Sequence, residues 1–383
     1  MNVAAKEYDG ENKYIRITDI DDNTHEFLTD SLTSPDIDLT GADNYKLIEG
    51  DILFARTGAS VGKSYIYRNS DGLVYYAGFL IRARIKEECD AEFVFQNTLT
   101  DRYNKYIAVT SQRSGQPGVN AQEYAEFEIK VPKKEEQTKI GTYFRNLDHL
   151  ITLHQRKCEE IKILKKYMLQ KMFPRKGKNK PEIRFQGFTD AWEQRKLGEI
   201  AQSFEYGLNA AAKEYDGTNK YLRITDIDDA SRKFNTDNLT SPDIEFSTAE
   251  NFRLFDGDIL FARTGASVGK SFIYRDSDGI VYFAGFLIRA RIKMEYDAEF
   301  VFQNTLCESY GKYIQITSQR SGQPGVNAKE YSDYVFYLPT YDEQKKIGNF
   351  LHQIDNLITL HQRKCDELKK VKKFMLQKMF PQD

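Results

Sequence analysis

Along residues 133–173 the apolar side chains recur at alternating steps of four and three, at Ile140, Phe144, Leu147, Ile151, Cys158, Ile161, Met168 and Met172. His154 and Lys165 fill the two weaker positions of the same series, and Leu164 flanks the second and is expected to share its burial. This spacing predicts one long amphipathic helix with a heptad seam. The series returns at Ile347, Leu351, Ile354, Ile358, His361, Cys365, Leu368, Lys372, Met375 and Met379, predicting a second long helix over 340–380. About 36 residues in helical geometry make a rod of roughly 54 Å. A rod of that length cannot cover its apolar stripe by itself, so the two rods are expected to pack on each other. Packed about a pseudo-two-fold axis they run antiparallel, with a globular part at each end. Such a calliper matches the geometry that a duplex offers a two-fold reader.

Ahead of the first rod the pattern changes to short strand-like runs. NKYIRITDI (12–20) and GDILFAR (50–56) read as strands, and TSPDI (33–37) as a turn because Pro fixes φ. SYIYR (64–68), the turn SDG (70–72) and VYYAGFLIRARI (74–85) suggest a hairpin. Residues 91–109 carry helical spacing, and EFEIKVP (126–132) alternates as a strand does before ending at a Pro. TGASVGK (57–63) and SGQPGVN (114–120) read as Gly-rich loops. The expected fold class is α+β: two duplicated α/β domains, each followed by a long helix, with the helices packing as an antiparallel coiled coil.

The duplication is explicit. Pairing residue n with n+207 requires no gap from Met1 to Lys176, and 119 of the 176 pairs are identical. Repeats of this length are duplicated domains rather than solenoid units. DILFARTGASVGKS recurs at 51–64 and 258–271, and SQRSGQPGVNA at 111–121 and 318–328. The expected organisation is a globular domain at 1–132, a helix at 133–173, a basic linker at 174–184, a second globular domain at 185–339 and a second helix at 340–380. The second unit is led by PEIRFQGFTDAWEQRKLGEIAQSFEYG (181–207), and nothing corresponds to this before Met1. The first unit either tolerates that absence, receives the segment from elsewhere, or belongs to a truncated chain.

Composition narrows the class. The formal net charge of −2, from 55 Lys and Arg against 57 Asp and Glu, means any nucleic-acid contact needs locally segregated cations. The four cysteines are far apart with no CxxC pair, which points to a reducing setting. The N-terminus lacks a signal pattern and no apolar run approaches the ~20 residues needed to span a bilayer. A cytoplasmic protein with no membrane association is expected.

Two loops carry the candidate chemistry. Gly58–Ser64 resembles a phosphate loop but has three residues between its glycines where that loop needs four. It is either a tight inter-strand turn or a loop whose backbone approaches DNA phosphates beside Arg56 and Lys63. Residues 111–120 are dense in Gln, Arg and Asn, which pair with base edges, or form an ordinary polar loop capped by Asn120. The candidate DNA-binding residues are Arg56, Thr57, Gly58, Ser60, Lys63, Gln112, Arg113, Ser114, Gln116 and Asn120. Their counterparts are Arg263, Thr264, Gly265, Ser267, Lys270, Gln319, Arg320, Ser321, Gln323 and Asn327.

Catalysis finds little support. No GxSxG, HExxH or kinase set occurs, no Asn/Asp-Pro-Pro-Tyr/Phe amino-methyltransferase motif is present, and His25 and His149 are replaced by Arg232 and Asn356 in the second copy. His154 with Cys158, and His361 with Cys365, lie four apart, and antiparallel rods crossing at their centres would gather a zinc-type set. Burial of small seam residues accounts for the same pattern, and no metal ligand is assigned.

Together these features resemble the specificity (S) subunit of type I restriction–modification systems. The resemblance rests on the doubled domain-plus-helix layout and on the ARTGASVGK and GQPGVN loops. It also rests on the Leu/Val-Pro-x-x-x-Glu-Gln-x-x-Ile start of each long helix (131–140 and 338–347) and on FTDAWEQRKLGEIA leading the second unit. It spans essentially the whole chain. It implies two target-recognition domains that read a bipartite double-stranded DNA sequence, one half-site each, with the helices as a spacer. It also implies a non-catalytic chain with no cofactor of its own. Two modification subunits would use S-adenosylmethionine to methylate adenine, and restriction subunits would use ATP and Mg. Remaining alternatives are an assembly protein that never touches DNA, or a cryptic nuclease or methyltransferase.

Overall fold

The structure is a computed structural model that describes residues 1–112, 115–175, 177–319 and 324–381. The chain divides into two compact units. One comprises Met1–Arg156 with Gln362–Asp383, the other Lys157–His361. Each unit therefore combines one globular part with half of each long helix, rather than leaving the helices as separate bodies.

The first unit begins with strands β1 (Ala5–Glu7), β2 (Lys13–Ile15), β3 (Thr33–Pro35), β4 (Ile52–Ala55), β5 (Ser64–Ile66), β6 (Val74–Tyr76) and β7 (Leu80–Ala83). Helices α1 (Ala91–Asn97), α2 (Asp101–Thr110) and α3 (Ala121–Ala125) follow, then the first half of the long helix α4 (Lys134–Met172). Strand β4 is central and antiparallel to both β5 and β7, while β6 pairs in parallel with β2. The hairpin expected from 64–68 and 74–85 is therefore not formed. Ser64–Ile66 turns back on β4 across the Gly-rich loop, and the run 74–85 breaks after Tyr76. The strand expected over 12–20 also shortens, giving way to a 3-10 turn at Ile17–Asp19.

The helix expected over 91–109 is two helices. Thr98 donates its hydroxyl to the Phe95 carbonyl at 2.6 Å, and Thr100 accepts from the Tyr103 amide as the cap of α2. Such side chains compete with the backbone helix ladder and favour a new start.

The second unit adds α5 (Leu197–Ile200), α6 (Ala298–Asn304), α7 (Glu308–Thr317), α8 (Ala328–Ser332) and the first half of the long helix α9 (Tyr341–Met379). Its strands are β8 (Glu193–Lys196), β9 (Ala201–Tyr206), β10 (Ala212–Glu214), β11 (Lys220–Leu222), β12 (Thr240–Pro242), β13 (Ile259–Ala262), β14 (Ser271–Ile273), β15 (Val281–Phe283), β16 (Leu287–Ile292) and β17 (Val335–Leu338). The sheet here has four strands in the order β14-β13-β16-β9, against three in the first unit. Strand β17 pairs with β8 of the leading segment. Its counterpart in the first unit, residues 128–131, forms no strand, contrary to the alternation there.

Both long helices run 39 residues, about 58 Å at helical rise, and end within one residue of the expected bounds. Acidic residues sit in the first turn and Lys171 or Lys378 in the last, which complements the helix dipole. Gln137 and Gln344 reach back to the carbonyls of Pro132 and Pro339 at 2.8 and 2.9 Å, fixing the helix starts. The helix halves pack antiparallel within each unit. In the first unit Phe144 meets Phe380, and Asp148 pairs with Lys372 at 2.6 Å. In the second unit Lys165 pairs with Asp355 at 2.7 Å. These ion pairs explain the lysine in each apolar seam: the seam lysine faces an aspartate instead of being shielded. Leu164, expected to share that burial, is 42% exposed.

Candidate nucleic-acid interface

The two Gly-rich stretches lie far apart in sequence but meet in space. Loop 57–63 closes β4 onto β5 through Ala55 N–H to the Lys63 carbonyl at 2.8 Å and Gly62 N–H to the Ala55 carbonyl at 3.0 Å. It includes a 3-10 turn at Gly58–Ser60. The second loop then runs alongside it. Gly58 N–H donates to the Pro117 carbonyl at 3.0 Å, Val119 N–H donates to the Arg56 carbonyl at 2.9 Å, and Thr57 and Gly118 form an isolated bridge. The second unit repeats this pairing, with Gly265 N–H on Pro324, Val326 N–H on Arg263, and a Thr264–Gly325 bridge.

Two tyrosines lock the base of the first loop. Tyr124 donates to the Ala55 carbonyl at 2.6 Å and accepts from Gly62 N–H at 3.0 Å, while Tyr103 donates to the Gly62 carbonyl at 2.8 Å. Tyr331 and Tyr310 do the same at Ala262 and Gly269. Burial raises all four phenols, Tyr124 to about 12, so they remain protonated donors. Gly62 has a positive φ of 88°, and a Cβ there would sit 2.6 Å from Ile107, so only glycine fits. This tyrosine clamp was absent from the sequence reading. Its signal was the retention of both tyrosines at the same places in each repeat.

The candidate side chains separate into two groups. Arg56, Gln112, Gln116 and Gln319 are exposed, and Thr57, Gly58, Ser60, Arg263, Thr264, Gly265 and Ser267 are half-buried along the paired loops. Lys63 and Lys270 instead turn inward. Lys63 donates to the Ile20 carbonyl at 3.0 Å and pairs with Asp22, and Lys270 donates to Ile227 at 3.1 Å and pairs with Asp229. With Lys270 only 7% exposed, these lysines fasten the loop instead of facing a phosphate. Asn120 and Asn327 are N-caps of α3 and α8, each in a capping box with Glu123 or Glu330, which is the capping role weighed for Asn120. Arg113, Ser114, Arg320, Ser321 and Gln323 lie outside the described residues.

One difference separates the two sites. In the second unit the Arg263 guanidinium lies 4.9 Å over the ring of Tyr206, and the Tyr206 hydroxyl accepts from Ala328 N–H at 3.2 Å. Tyr206 belongs to the leading segment and contacts a residue flanking each loop, Arg263 before the first and Ala328 after the second. Arg56 is exposed.

Among the described residues no group of three or more His, Cys, Asp or Glu is arranged to hold a metal. Cys158 and Cys365 are buried. No helix among them is long and apolar enough to cross a membrane.

A duplicated loop pair on an α+β scaffold, each followed by a long helix, defines a class of two-repeat proteins. The family profile described as the type I restriction modification DNA specificity domain matches twice, over residues 2–163 and 189–370, and the chain belongs to that family. It is a specificity subunit, the component of such systems that recognises DNA. It is 25% identical over 361 residues to the type I restriction enzyme MjaVIII specificity subunit of Methanocaldococcus jannaschii, covering 91% of this chain and 82% of that one. It is 27% identical over 195 residues to the putative MjaX specificity subunit of the same organism, covering 49% of this chain and 45% of the relative. The fold matches the crystal structure of a type I system S subunit from M. genitalium with a TM-score of 0.63 at 15% identity, over 97% of this chain and 89% of that one.

Proposed function

We propose that each paired-loop site reads one half of a bipartite duplex target, and that the two halves are the same or nearly so in inverted orientation. The observation that carries this reading is the joining of both loops at Thr57–Gly118 and at Thr264–Gly325, on sequence stretches that are identical between the repeats. Backbone amides and the small residues Gly58, Ser60, Gly265 and Ser267 suit close approach to the sugar–phosphate backbone. Arg56, Gln112, Arg113, Ser114 and Gln116, with Arg263, Gln319, Arg320, Ser321 and Gln323, supply the guanidinium, amide and hydroxyl groups for base edges and phosphates. Lys63, Lys270, Asn120 and Asn327 support the loops from behind.

The long helices act as the spacer and as the docking site for two modification subunits. Exposed apolar side chains recur on them in both repeats, at Leu150, Leu153, Leu164 and Tyr167 and at Leu357, Leu360, Val371 and Phe374. Large exposed apolar residues repeated in register suit a protein partner. Methyl transfer from S-adenosylmethionine and ATP-driven steps belong to the modification and restriction subunits.

Methylome sequencing of cells carrying this chain with its modification partner tests the reading. The expected result is one motif made of two matching inverted half-sites. Two unrelated half-sites would overturn the near-symmetry. Arg113→Ala or Arg320→Ala is expected to relax or weaken one half-site by about 1–3 kcal/mol, read as binding at stated salt and as lost methylation. Inserting one heptad in both helices is expected to lengthen the recognised spacer, and an unchanged spacer would reject the helices as a ruler.

A further inference from the structure

The paired loops are joined by a third segment. Residues 77–80, between β6 and β7, and 284–287, between β15 and β16, are tight turns. Leu80 N–H closes the first on the Ala77 carbonyl at 3.0 Å, and Leu287 N–H closes the second on the Ala284 carbonyl at 2.9 Å. Arg56 ties its turn to the loops. Its N–H donates to the Phe79 carbonyl at 3.1 Å, while its own carbonyl accepts from Val119 N–H. Arg263 repeats both bonds with Phe286 and Val326, and its guanidinium also donates to the Gly285 carbonyl at 3.3 Å. Turn, first loop and second loop thus meet at the backbone of one arginine in each unit.

Each turn carries a phenylalanine at its tip. Gly78 and Gly285 press the other central position of the turn against the domain. A Cβ there would sit 3.0 Å from the Met1 carbonyl in one unit and 3.1 Å from the Leu208 carbonyl in the other. The phenyl rings are left outside. Phe79 is 61% exposed and Phe286 63%, the two most exposed Phe, Tyr or Trp side chains among the described residues. Phe286 stands out to the same degree although β9 pairs with β16 beside it, so the exposure belongs to the turn itself. The flanking sequence AGFLIRA is identical in the two repeats.

We propose that Phe79 and Phe286 are wedges that insert at a base step of the half-site read by their own domain, a role that rests on the reading of the paired loops as DNA-reading. A phenyl ring has no group to pair with base edges. What it can gain from a duplex is stacking on a base face, reached by parting two neighbouring base pairs. Apolar side chains used in this way partly unstack the step and kink the duplex. The flexible steps TA and CA/TG part most easily. Each half-site should therefore hold such a step beside the bases read by the Arg and Gln side chains. The ring selects that step through its deformability, which hydrogen bonds to base edges do not read.

The test uses the full chain in complex with its modification partner. The probes are a labelled duplex carrying the motif found by methylome sequencing and a scrambled duplex of equal composition. Permanganate oxidises unstacked thymines, and every flexible step contains one. The expected wild-type result is a reactive thymine in each half-site. Phe79→Ala should remove it from one half-site alone and Phe286→Ala from the other. Each should weaken binding about tenfold, as loss of one stacked aromatic does. The salt dependence should stay unchanged, because no phosphate contact is lost. Phe79→Leu and Phe286→Leu should keep part of both signals, since leucine also serves as a wedge. A thymine opposite a base drawn out for methylation reacts as well, and the alanine variants should leave that signal in place. A wild-type complex that binds both duplexes equally overturns the loop reading and the wedge with it. With the preference intact, alanine variants that leave every reactive thymine in place overturn the wedge alone. That includes weaker binding through a lost thymine-methyl contact in an intact stack. Release of the modification partner by the alanine variants, read by size exclusion, also overturns it, because the rings would then belong to a protein interface.

Discussion

Residues 128–131 and 335–338 occupy the same place in two repeats that share two thirds of their residues, yet only the second is a strand. Residues 335–338 have β8 to pair with. Nothing among the described residues pairs with 128–131 in that way. The same contrast runs along the sheet, where β16 is covered by β9 and β7 forms an edge. A strand is a property of a pair, so local alternation predicts it only when the partner is present. The contrast also reaches the start of the first paired loop through Tyr206, which props Arg263 in one unit while Arg56 lies exposed in the other.

Removing the cover from the second unit is the strongest way to break this difference. Trp192 is 3% exposed and packs on Phe173 and Phe300. Trp192→Ala is expected to cost about 3–5 kcal/mol in chemical denaturation. Hydrogen exchange should then show β16 opening towards the level of β7. A loss confined to the surroundings of Phe173, with β16 unchanged, would show that the segment holds the sheet without its tryptophan.

The tyrosine clamps sharpen the comparison, because they are alike in both units. Tyr124→Phe and Tyr331→Phe each leave Gly62 or Gly269 N–H and a carbonyl without a side-chain partner. Each should lose about 1–3 kcal/mol, with the larger loss at Tyr331, which is fully buried where Tyr124 is half-buried. Equal losses, read by denaturation, would mean that the edge segment does not tighten the loop base.

The smallest expected effect concerns His25, which Arg232 replaces in the second unit. Both residues have a positive φ, 58° and 57°. Burial holds the His25 imidazole below its ordinary value of 6.5, outweighing its bond to the Ser64 carbonyl. The unfolded chain therefore binds the proton first as pH falls through about 6.5, and the fold loses stability below that point. His25→Asn, whose side chain tolerates a left-handed backbone, should narrow the difference in melting temperature between pH 7.5 and pH 5.5 (round values about one unit either side of the free imidazole). An unchanged difference would exclude His25 as the source.

The long helices were legible to within a residue because a period of three and four over 39 residues needs no partner to be seen. The loops were legible as candidates from their composition and repetition. Their joining was not, because Gly58 and Pro117 meet through backbone hydrogen bonds that leave no side-chain signature. The parallel pairing of β2 with β6 was hidden for the same reason, and the hairpin read from 64–85 was the local alternative that lost to it. Lys63 and Lys270 looked like phosphate ligands because charge in a Gly-rich loop does not say which way it points.

The sequence by itself determined the duplication, the two rods with their apolar seams, and the family. These are properties of spacing and identity, which a chain carries whether folded or not. Tertiary structure decided which lysines face inward, which loops touch and which sheet edge is covered. Each of those depends on residues tens to hundreds of positions apart competing for the same hydrogen bonds and the same buried space.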